Sequence, residues 1–312
     1  MSSLACPAIR SDDGAVTGFG RREGAPAAHV VRIEQIIVPS TWNPASTTFA
    51  YSGHVKAVIL AAGCATRLRP YSDDTPKTLL PVGGVPILRR TMTSLLRIGI
   101  DQFVIGTGYL EHMVRDAVAS WFPGSAGLDV TFVTNPEFRT TNNAYSLLLM
   151  REHVEHGPFI LLDGDVVFDL AVIEELISRG PDCLAVRSVG EIGLEEVKVT
   201  ADNHDRVLAI GKHVPVRSAM GESVGIELFS ATSSKRLFAV LDDRVRGQNL
   251  VNEYYEAAFQ QIVDEGTTLY GVDIGSMYAS EIDTIEDLIA ANHRLAQRPA
   301  FDVRVNDLRV AV

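Results

Sequence analysis

Residues 55–68 read VKAVILAAGCATRL and decide the fold of this 312-residue chain. Residues 55–61 form a short apolar run bounded by glycine, which predicts a buried parallel strand. A loop of small residues follows, so its backbone can approach a ligand closely and its N–H groups can bind phosphate oxygens. Arg67 adds a fork of donors suited to a polyphosphate. Because GxGxxG and a following Gly-Lys-Ser/Thr are both missing, the loop is neither a Rossmann fingerprint nor a P-loop.

Around this stretch, apolar runs alternate with amphipathic segments. The predicted strands are 103–107, 129–134 and 159–162, and the predicted helices are 85–98, 110–121, 144–154 and 170–178. This β-α-β-α order predicts an α/β fold with a Rossmann-like, doubly wound sheet. After Cys183 the strands are closely spaced, at 196–200, 207–210 and 224–229, which predicts a small antiparallel addition to the sheet. Helices near 233–241 and 252–264, a strand at 269–274 and a last helix from 284 to 295 follow.

The two ends of the chain differ from this body at 55–297. Residues 1–54 are rich in Ser, Ala, Gly and Pro, and only residues 30–38 have strand-like apolar content. We therefore expect a largely disordered N-terminal extension with one docking strand, although a misassigned start site would look the same. Residues 298–312 are interpreted as a C-terminal tail. An extra N-terminal segment is also compatible with a homodimer.

Charge and composition exclude several classes of function. The formal net charge is −11, which argues against general binding of nucleic acid and against a polybasic membrane-docking protein. No apolar run reaches the roughly 18 residues that span a bilayer. The spacing of Cys6, Cys64 and Cys183 fits neither a zinc ribbon nor a disulfide framework, which favours a reducing, cytoplasmic location.

A second motif, TPKTLLPV at 75–82, holds Lys77 in a stiff segment between two prolines. With it, residues 58–88 resemble the signature of the sugar-phosphate nucleotidylyltransferase superfamily, which reads roughly LAAGxGTRLxPLTxxxPKxLLPVxGxPIL. Ala65 replaces the second glycine, at a cost of roughly 1 kcal/mol if its φ is positive. The resemblance implies that the nucleotide is bound by Leu60, Ala61, Ala62, Gly63, Ala65, Thr66, Arg67 and Lys77.

Carboxylates follow the strand predicted at 159–162, where ligands of α/β sheets bind. The resemblance implies that Asp165 binds Mg²⁺, whereas Asp163 contacts the nucleotide or supports the metal site; a simple Asp-Gly turn is the alternative. In the later motif at 280–288 (SEIDTIEDL), Asp283 matches the second metal carboxylate of the superfamily. Asp283 or Thr284 could instead be the N-cap of the last helix. Glu281 would share the metal or contact substrate.

Internal segments point to one branch of the superfamily. Residues 135–147, 221–226 and 253–256 and the EIDT–EDL ending resemble phosphocholine cytidylyltransferases. This resemblance implies transfer of CMP from CTP to a small anionic acceptor such as phosphocholine, aminoethylphosphonate or inositol phosphate. Lys212 matches the lysine that holds the acceptor phosphate, and Lys198 would act beside it unless it is simply an exposed strand lysine. Asn143 and Ser146 are candidates for selecting the base.

An acceptor that bears an ammonium group would need aromatic or acidic side chains around it. The candidates are Tyr254, Tyr255, Glu222, Glu227 and Glu281, each of which could equally be core or solvated surface. The acceptor oxygen is anionic at neutral pH, so the predicted mechanism is in-line attack on the α-phosphorus without a general base. Arg67 would bind the departing pyrophosphate, and Lys77 and Lys212 would neutralise nucleotide and acceptor phosphates.

Four alternatives remain open at this point. The first is a hexose-1-phosphate nucleotidylyltransferase that uses dTTP, UTP or GTP, and the second is a non-catalytic regulatory subunit of the same fold. The third is a metal hydrolase around His153 and His156, which stand at a helix end where imidazolium suits the dipole. The fourth is a dinucleotide site at 106–109 (GTGY), which lacks the third glycine.

Overall fold

The computed structural model describes residues 55–123, 128–190 and 192–297. The predictions for 1–54, including the strand at 30–38, and for 298–312 lie outside the described residues. The strands are β1 Lys56–Ala61, β2 Pro81–Val82, β3 Val85–Pro86, β4 Gln102–Thr107, β5 Asp129–Thr134, β6 Phe159–Asp163, β7 Val166–Phe168, β8 Cys183–Arg187, β9 Lys198–Ala201, β10 Val207–Gly211, β11 Gly221–Phe229, β12 Tyr270–Asp273 and β13 Ala279–Glu281. The α-helices are α1 Ile87–Arg97, α2 Glu111–Trp121, α3 Asn143–Leu149, α4 Arg151–Val154, α5 Leu170–Arg179, α6 Ala231–Asp242, α7 Glu256–Asp264 and α8 Ile285–Gln297.

One large mixed sheet organises the protein. Its main path runs β10-β9-β11-β6-β1-β4-β5, and β8 and β12 attach beside β11. β1 pairs in parallel with β4 and β6, and β4 with β5, whereas β11 is antiparallel to β6, β8 and β9. The predicted doubly wound sheet with an antiparallel addition is therefore confirmed. The carboxyl ends of β1, β4 and β6 meet at one edge, where ligands bind in such sheets.

Apolar layers cover both faces of the sheet. Ala57 and Ile59 of β1 lie in the layer that contains α1, α2 and α5, whereas Val58 lies in the layer with α3, α6 and α7. This alternation follows from the period of two in a strand, so a strand covered on both faces is apolar throughout. A third cluster joins Leu68 and Leu80 of the signature segment to Leu288 and Ala291 of α8. That cluster packs the end of the described chain against the first loop.

Several boundaries differ from those predicted. The helix predicted at 144–154 is two helices, α3 and α4, separated at Met150. The helix predicted from 252 begins at Glu256. The sequence analysis also missed β2, β3 and β8, and the short strands β7 and β13, which pair antiparallel to each other apart from the main sheet. Among the described residues, no helix combines the length and apolar character needed to cross a membrane.

Candidate active site

The first loop leaves β1 at Ala61 and turns at Ala65, whose φ of 47° and ψ of 50° are left-handed. The positive φ anticipated for this position is therefore present, and the alanine carries the strain that a glycine would avoid. The Ser72 hydroxyl donates a hydrogen bond of 2.7 Å to the Ala65 carbonyl and fixes the turn. A side chain built at Gly63 would meet nothing within 4 Å, so the loop borders open space.

Lys77 lies at the start of a short 3₁₀ turn and reaches the carboxyl edge of the sheet. Its Nζ donates to Asp165 Oδ2 and to Asp283 Oδ1, each at 2.5 Å. The side chain is only 14% exposed. Burial lowers the pKa of Lys77, but the two carboxylates outweigh it and the pKa is raised overall. The ammonium is therefore a fixed positive charge between the two carboxylates that the sequence analysis assigned to a metal.

Asp165 reaches this position because the backbone after β6 lies very close to the end of β1. The Gly164 N–H donates to the Leu60 carbonyl at 2.9 Å, and a Cβ at Gly164 would lie 2.5 Å from that oxygen. A residue with a side chain would push the strand end away, which explains the glycine between Asp163 and Asp165. The β7–β13 pair sets Glu281 opposite Val166, and the Ile282 N–H donates to the Asp165 carbonyl. This pairing brings the EIDT segment to Asp165.

Asp283 faces the site because other residues cap α8. The Thr284 hydroxyl accepts from the Asp287 N–H, and Asp287 Oδ2 accepts from the Thr284 N–H and hydroxyl and from the Asp283 N–H. This reciprocal capping leaves the Asp283 carboxylate to bind Lys77 and the Nη2 of Arg67, at 2.5 Å. Burial raises the pKa of Asp283, but Lys77 and Arg67 together lower it below its usual range. Of the two N-cap candidates from sequence, Thr284 rather than Asp283 caps α8, and the metal-binding role of Asp283 stays a prediction.

The carboxylates at this edge suit Mg²⁺. Asp165 Oδ1 is buried and has no hydrogen-bond partner, and a hard carboxylate oxygen left in this way suits a divalent cation. Within the described ranges, no group of three or more His, Cys, Asp or Glu side chains is arranged to hold a metal. A bound ion would therefore take the rest of its ligands from phosphates and water.

A second group of acidic side chains lies beside Asp165 and Asp283, on the α7 side of the sheet. Asp163 Oδ2 accepts a hydrogen bond of 2.9 Å from the hydroxyl of the buried Tyr255. Burial, followed by the charges of Asp165, Glu281, Glu227 and Glu256, raises the pKa of Asp163 well above its usual range. Burial also raises the pKa of Glu227, and of Glu281 to about 8. Four acidic side chains thus share one region next to the Lys77 site.

A cavity of about 710 Å³ opens between the end of β10 and α7, along the length of that helix. Lys212, Tyr254 and Glu256 all line it, and the Lys212 Nζ lies 4.8 Å from the centre of the Tyr254 ring. Burial raises the pKa of Glu256 to about 7, although its own backbone N–H and Lys212 oppose that rise. The sequence analysis missed Glu256 because a glutamate at the start of a helix is ordinarily a dipole-stabilising surface residue.

The other predicted site residues occupy structural positions. Lys198 is buried, and its Nζ donates to the carbonyls of Leu194 and Glu196, so only one N–H is left for any substrate. Ser146 is buried and accepts from Asn135, while Asn143 Oδ1 accepts from the Tyr255 N–H. These bonds tie α3 to the loop after β5 and to the start of α7. The roles proposed for Lys198, Ser146 and Asn143 toward substrates stay predictions.

Comparison with known proteins adds the family context. A model of the MobA-like NTP transferase domain matches residues 57–257. CMP-5'-(3-aminopropyl)phosphonate synthase from Streptomyces rubellomurinus is 42% identical over 132 residues, which cover 42% of this chain but only 20% of that protein. The 2-aminoethylphosphonate cytidylyltransferase from Lancefieldella rimae is 25% identical over 240 residues, covering 76% of this chain and 92% of that protein.

Solved structures of the same fold are also found. The inositol-1-phosphate CTP transferase from T. maritima superposes with a TM-score of 0.66 and 23% identity, covering 79% of this chain and 96% of that one. At this identity the likeness shows the shared fold. It agrees with the central parallel sheet and antiparallel addition described above.

Proposed function

The chain belongs to the MobA-like NTP transferase family, and we propose that it is a cytidylyltransferase that moves CMP from CTP to a small phosphate or phosphonate acceptor, releasing pyrophosphate. The observation that carries the proposal is the constellation of Lys77, Asp165, Asp283 and Arg67 at the carboxyl edge of the sheet, beside an open loop. Two relatives named for CMP-phosphonate synthesis and phosphonate cytidylyl transfer support CTP as the donor. The retained cations and carboxylates argue against a non-catalytic subunit.

The charges of the site suit attack by an oxygen that is already anionic. Such an acceptor needs no general base, so the work of the protein is to position two anions and to neutralise their charge. Lys77, whose raised pKa keeps it charged, would face the nucleotide phosphates. Arg67 is 65% exposed on the first loop and would bind the departing pyrophosphate in a bidentate manner.

Mg²⁺ is the metal that this donor set fits. Asp165 and Asp283 would hold it, and when bound it supplies charge neutralisation at the reacting phosphate. Lys77 already bridges both carboxylates, so its ammonium would share them with the ion. The acceptor would occupy the region between this edge and the cavity lined by Lys212, where the lysine can meet its phosphate or phosphonate group.

The test is pyrophosphate release with Mg²⁺, each of CTP, UTP, GTP, ATP and dTTP, and a pool of acceptors. The pool holds phosphocholine, 2-aminoethylphosphonate, 3-aminopropylphosphonate, inositol phosphate and glucose 1-phosphate. We expect release with CTP and with a phosphate or phosphonate other than the hexose phosphate. Release only with glucose 1-phosphate and another nucleotide would overturn the proposal in favour of a hexose-1-phosphate nucleotidylyltransferase.

A matched pair of variants separates the proposed site from the rest of the surface. Lys77→Ala should abolish release, whereas Lys235→Ala, which changes an exposed lysine on α6, should leave it unchanged. Equal activity of the two variants would show that Lys77 does not serve the reaction.

A further inference from the structure

The segment that carries Asp165 is held at three consecutive residues. Two of the three contacts are main-chain hydrogen bonds, one from the Gly164 N–H to β1 and one to the Asp165 carbonyl from the residue after β13. The third is made by side chains, since Asp163 Oδ2 accepts a hydrogen bond of 2.9 Å from the Tyr255 hydroxyl. Of these three contacts, the one with Tyr255 is therefore the one that a single side-chain substitution can remove.

The Asp163 carboxylate reaches Tyr255 beside a bulge in β11. The pairing of β11 with β8 shifts register between Ser223 and Glu227. Gly225 lies within this shift and has a φ of 67°, and a Cβ at this position would lie 2.7 Å from Asp163 Oδ2. A side chain there would collide with the carboxylate, so the glycine leaves the space in which Asp163 meets Tyr255.

Tyr255 is itself firmly placed. The residue is 1% exposed, and its ring packs against Phe259 with the ring centroids 4.9 Å apart. Its backbone N–H donates a hydrogen bond of 2.9 Å to Asn143 Oδ1 on α3. A ring and a main chain held in this way fix the position of the hydroxyl, which in turn fixes the Asp163 carboxylate.

The same residue lies next to the proposed acceptor site. Tyr254 and Glu256, the two chain neighbours of Tyr255, both line the cavity that contains Lys212. The start of α7 therefore contacts the cavity through these neighbours and the carboxyl edge of the sheet through the Tyr255 hydroxyl. Through one hydrogen bond, Tyr255 connects the place where the acceptor would bind with the place where the nucleotide phosphates would bind.

We propose that Tyr255 is a positioning residue of the transfer reaction, which acts through Asp163 to align Asp165 with an acceptor in the cavity. This proposal rests on the function proposed above and adds a residue whose hydroxyl is buried and bonded to another side chain. A displacement of about 1 Å between reacting groups can cost roughly 100-fold in rate, because the reaction depends on their alignment. Loss of the hydroxyl should therefore slow turnover and leave substrate binding nearly unchanged.

The first experiment removes only the hydroxyl. Tyr255→Phe keeps the ring that packs on Phe259, and kcat and KM are measured with full-length enzyme, CTP, Mg²⁺ and whichever acceptor of the pool reacts fastest. We expect kcat to fall by about 30-fold and each KM to change by less than about threefold. Thermal unfolding checks that the variant is folded.

Tyr270→Phe is the matched control. Tyr270 pairs with Cys183, and Cys183 with Leu228, beside the start of β6 and away from Asp165. This variant should leave kcat and both KM values unchanged.

Variants of Asp163 show whether Tyr255 acts through that carboxylate. Asp163→Asn keeps an oxygen that can accept from the hydroxyl, whereas Asp163→Ala does not. We expect Asp163→Asn to retain about tenfold more kcat than Asp163→Ala, and this difference to disappear when Tyr255→Phe is added. In the Asp163→Ala background, Tyr255→Phe should lower kcat by less than about threefold, because the contact is already lost.

Several results would overturn the proposal. A kcat of Tyr255→Phe within about threefold of wild type would show that the hydroxyl does not serve the reaction, although cytidylyl transfer stands. A raised KM with unchanged kcat would make Tyr255 a binding residue. Equal losses from Tyr255→Phe with and without Asp163→Ala would show that Tyr255 does not act through Asp163. If wild-type enzyme turns over no acceptor of the pool, the proposed function itself fails, and this proposal fails with it.

Discussion

Two pairs of carboxylates lie near the carboxyl edge of the sheet, and the chain treats them differently. Asp165 and Asp283 form ion pairs within the protein. Lys77 contacts both carboxylates, and Arg67 contacts Asp283. Glu227 and Glu256 are more deeply buried, and burial raises the pKa of both. The first pair is thus neutralised by side chains of the protein itself, whereas burial favours the protonated form of the second pair.

The largest effect should come from removing the cation of the first pair. Lys77→Met leaves Asp165 and Asp283 facing each other without their shared ammonium, a buried charge imbalance that is strongly unfavourable. We expect kcat/KM for cytidylyl transfer to fall about 1,000-fold, equivalent to about 4 kcal/mol of transition-state stabilisation. Steady-state kinetics with pyrophosphate detection measures this fall in kcat/KM, and Lys235→Met is the control. A loss of less than about tenfold would mean that the first pair needs no cation from the chain.

The next effect concerns the pH dependence of stability at the second pair. The pKa of Glu256 is about 7 in the folded protein against 4.5 ordinarily, because burial outweighs the opposing effects of its own backbone N–H and of Lys212. Because the folded state keeps this proton longer, stability falls as pH rises from 4.5 to 7 and is constant above. The Glu256→Gln variant should not show this decrease in the free energy of unfolding, which amounts to about 3 kcal/mol.

Urea unfolding of wild type and Glu256→Gln at pH 5 and pH 8 measures this difference. The free energy of unfolding of the variant, relative to wild type, should be higher at pH 8 than at pH 5. Glu174→Gln on the exposed face of α5 should give the same difference at both pH values. A pH-independent difference for Glu256→Gln would indicate that this carboxyl group titrates normally, and the contrast between the two pairs would weaken.

A smaller effect is expected at Arg67, because this side chain is 65% exposed and its ion pair with Asp283 is solvated. Arg67→Ala should lower kcat/KM by about 10- to 100-fold, through loss of pyrophosphate binding in the transition state, and should hardly change stability. Arg236→Ala is the control, since Arg236 forms an exposed ion pair with Glu265 on another surface. A loss of kcat/KM as large as that of Lys77→Met would show that Arg67 and Lys77 contribute equally to transition-state stabilisation.

The sequence analysis named Asp165, Asp283 and Glu227 as candidates but not Glu256, for a physical reason. Short sequence motifs contain Arg67, Lys77 and Asp165, so these residues can be found from the sequence. Asp283 lies in a segment that resembles a family motif. The β7–β13 pairing that joins this segment to Asp165 was not visible, because three-residue strands give no periodic signal. Glu256 could not be identified either, since its burial depends on β10 and β11, which are distant in sequence.

The same limit applies to Lys198. From sequence it was an exposed strand lysine or a substrate ligand, and the structure makes it a buried cation on two backbone carbonyls. Long side chains take their partners from tertiary contacts, which alternation along a strand does not specify. The longer helices and most strands of the main sheet, by contrast, follow from local apolar patterns and were predicted, whereas β2, β3, β7, β8 and β13 were not.

The smallest predicted effect tests whether the loop that carries Arg67 to the first pair is strained. Ala65 has a φ of 47°, a conformation that costs an alanine about 1 kcal/mol and a glycine little. Ala65→Gly should therefore raise the free energy of unfolding by about 1 kcal/mol or slightly less, because the more flexible unfolded chain offsets part of the gain. Ala290→Gly, at an exposed position within α8, should instead lower it by about 1 kcal/mol. Urea unfolding measures both changes, and opposite signs for the two Ala→Gly substitutions would assign the strain to the backbone of the loop. A loss of stability in both variants would show that the Ala65 turn is relaxed, and that Arg67 reaches Asp283 without backbone strain.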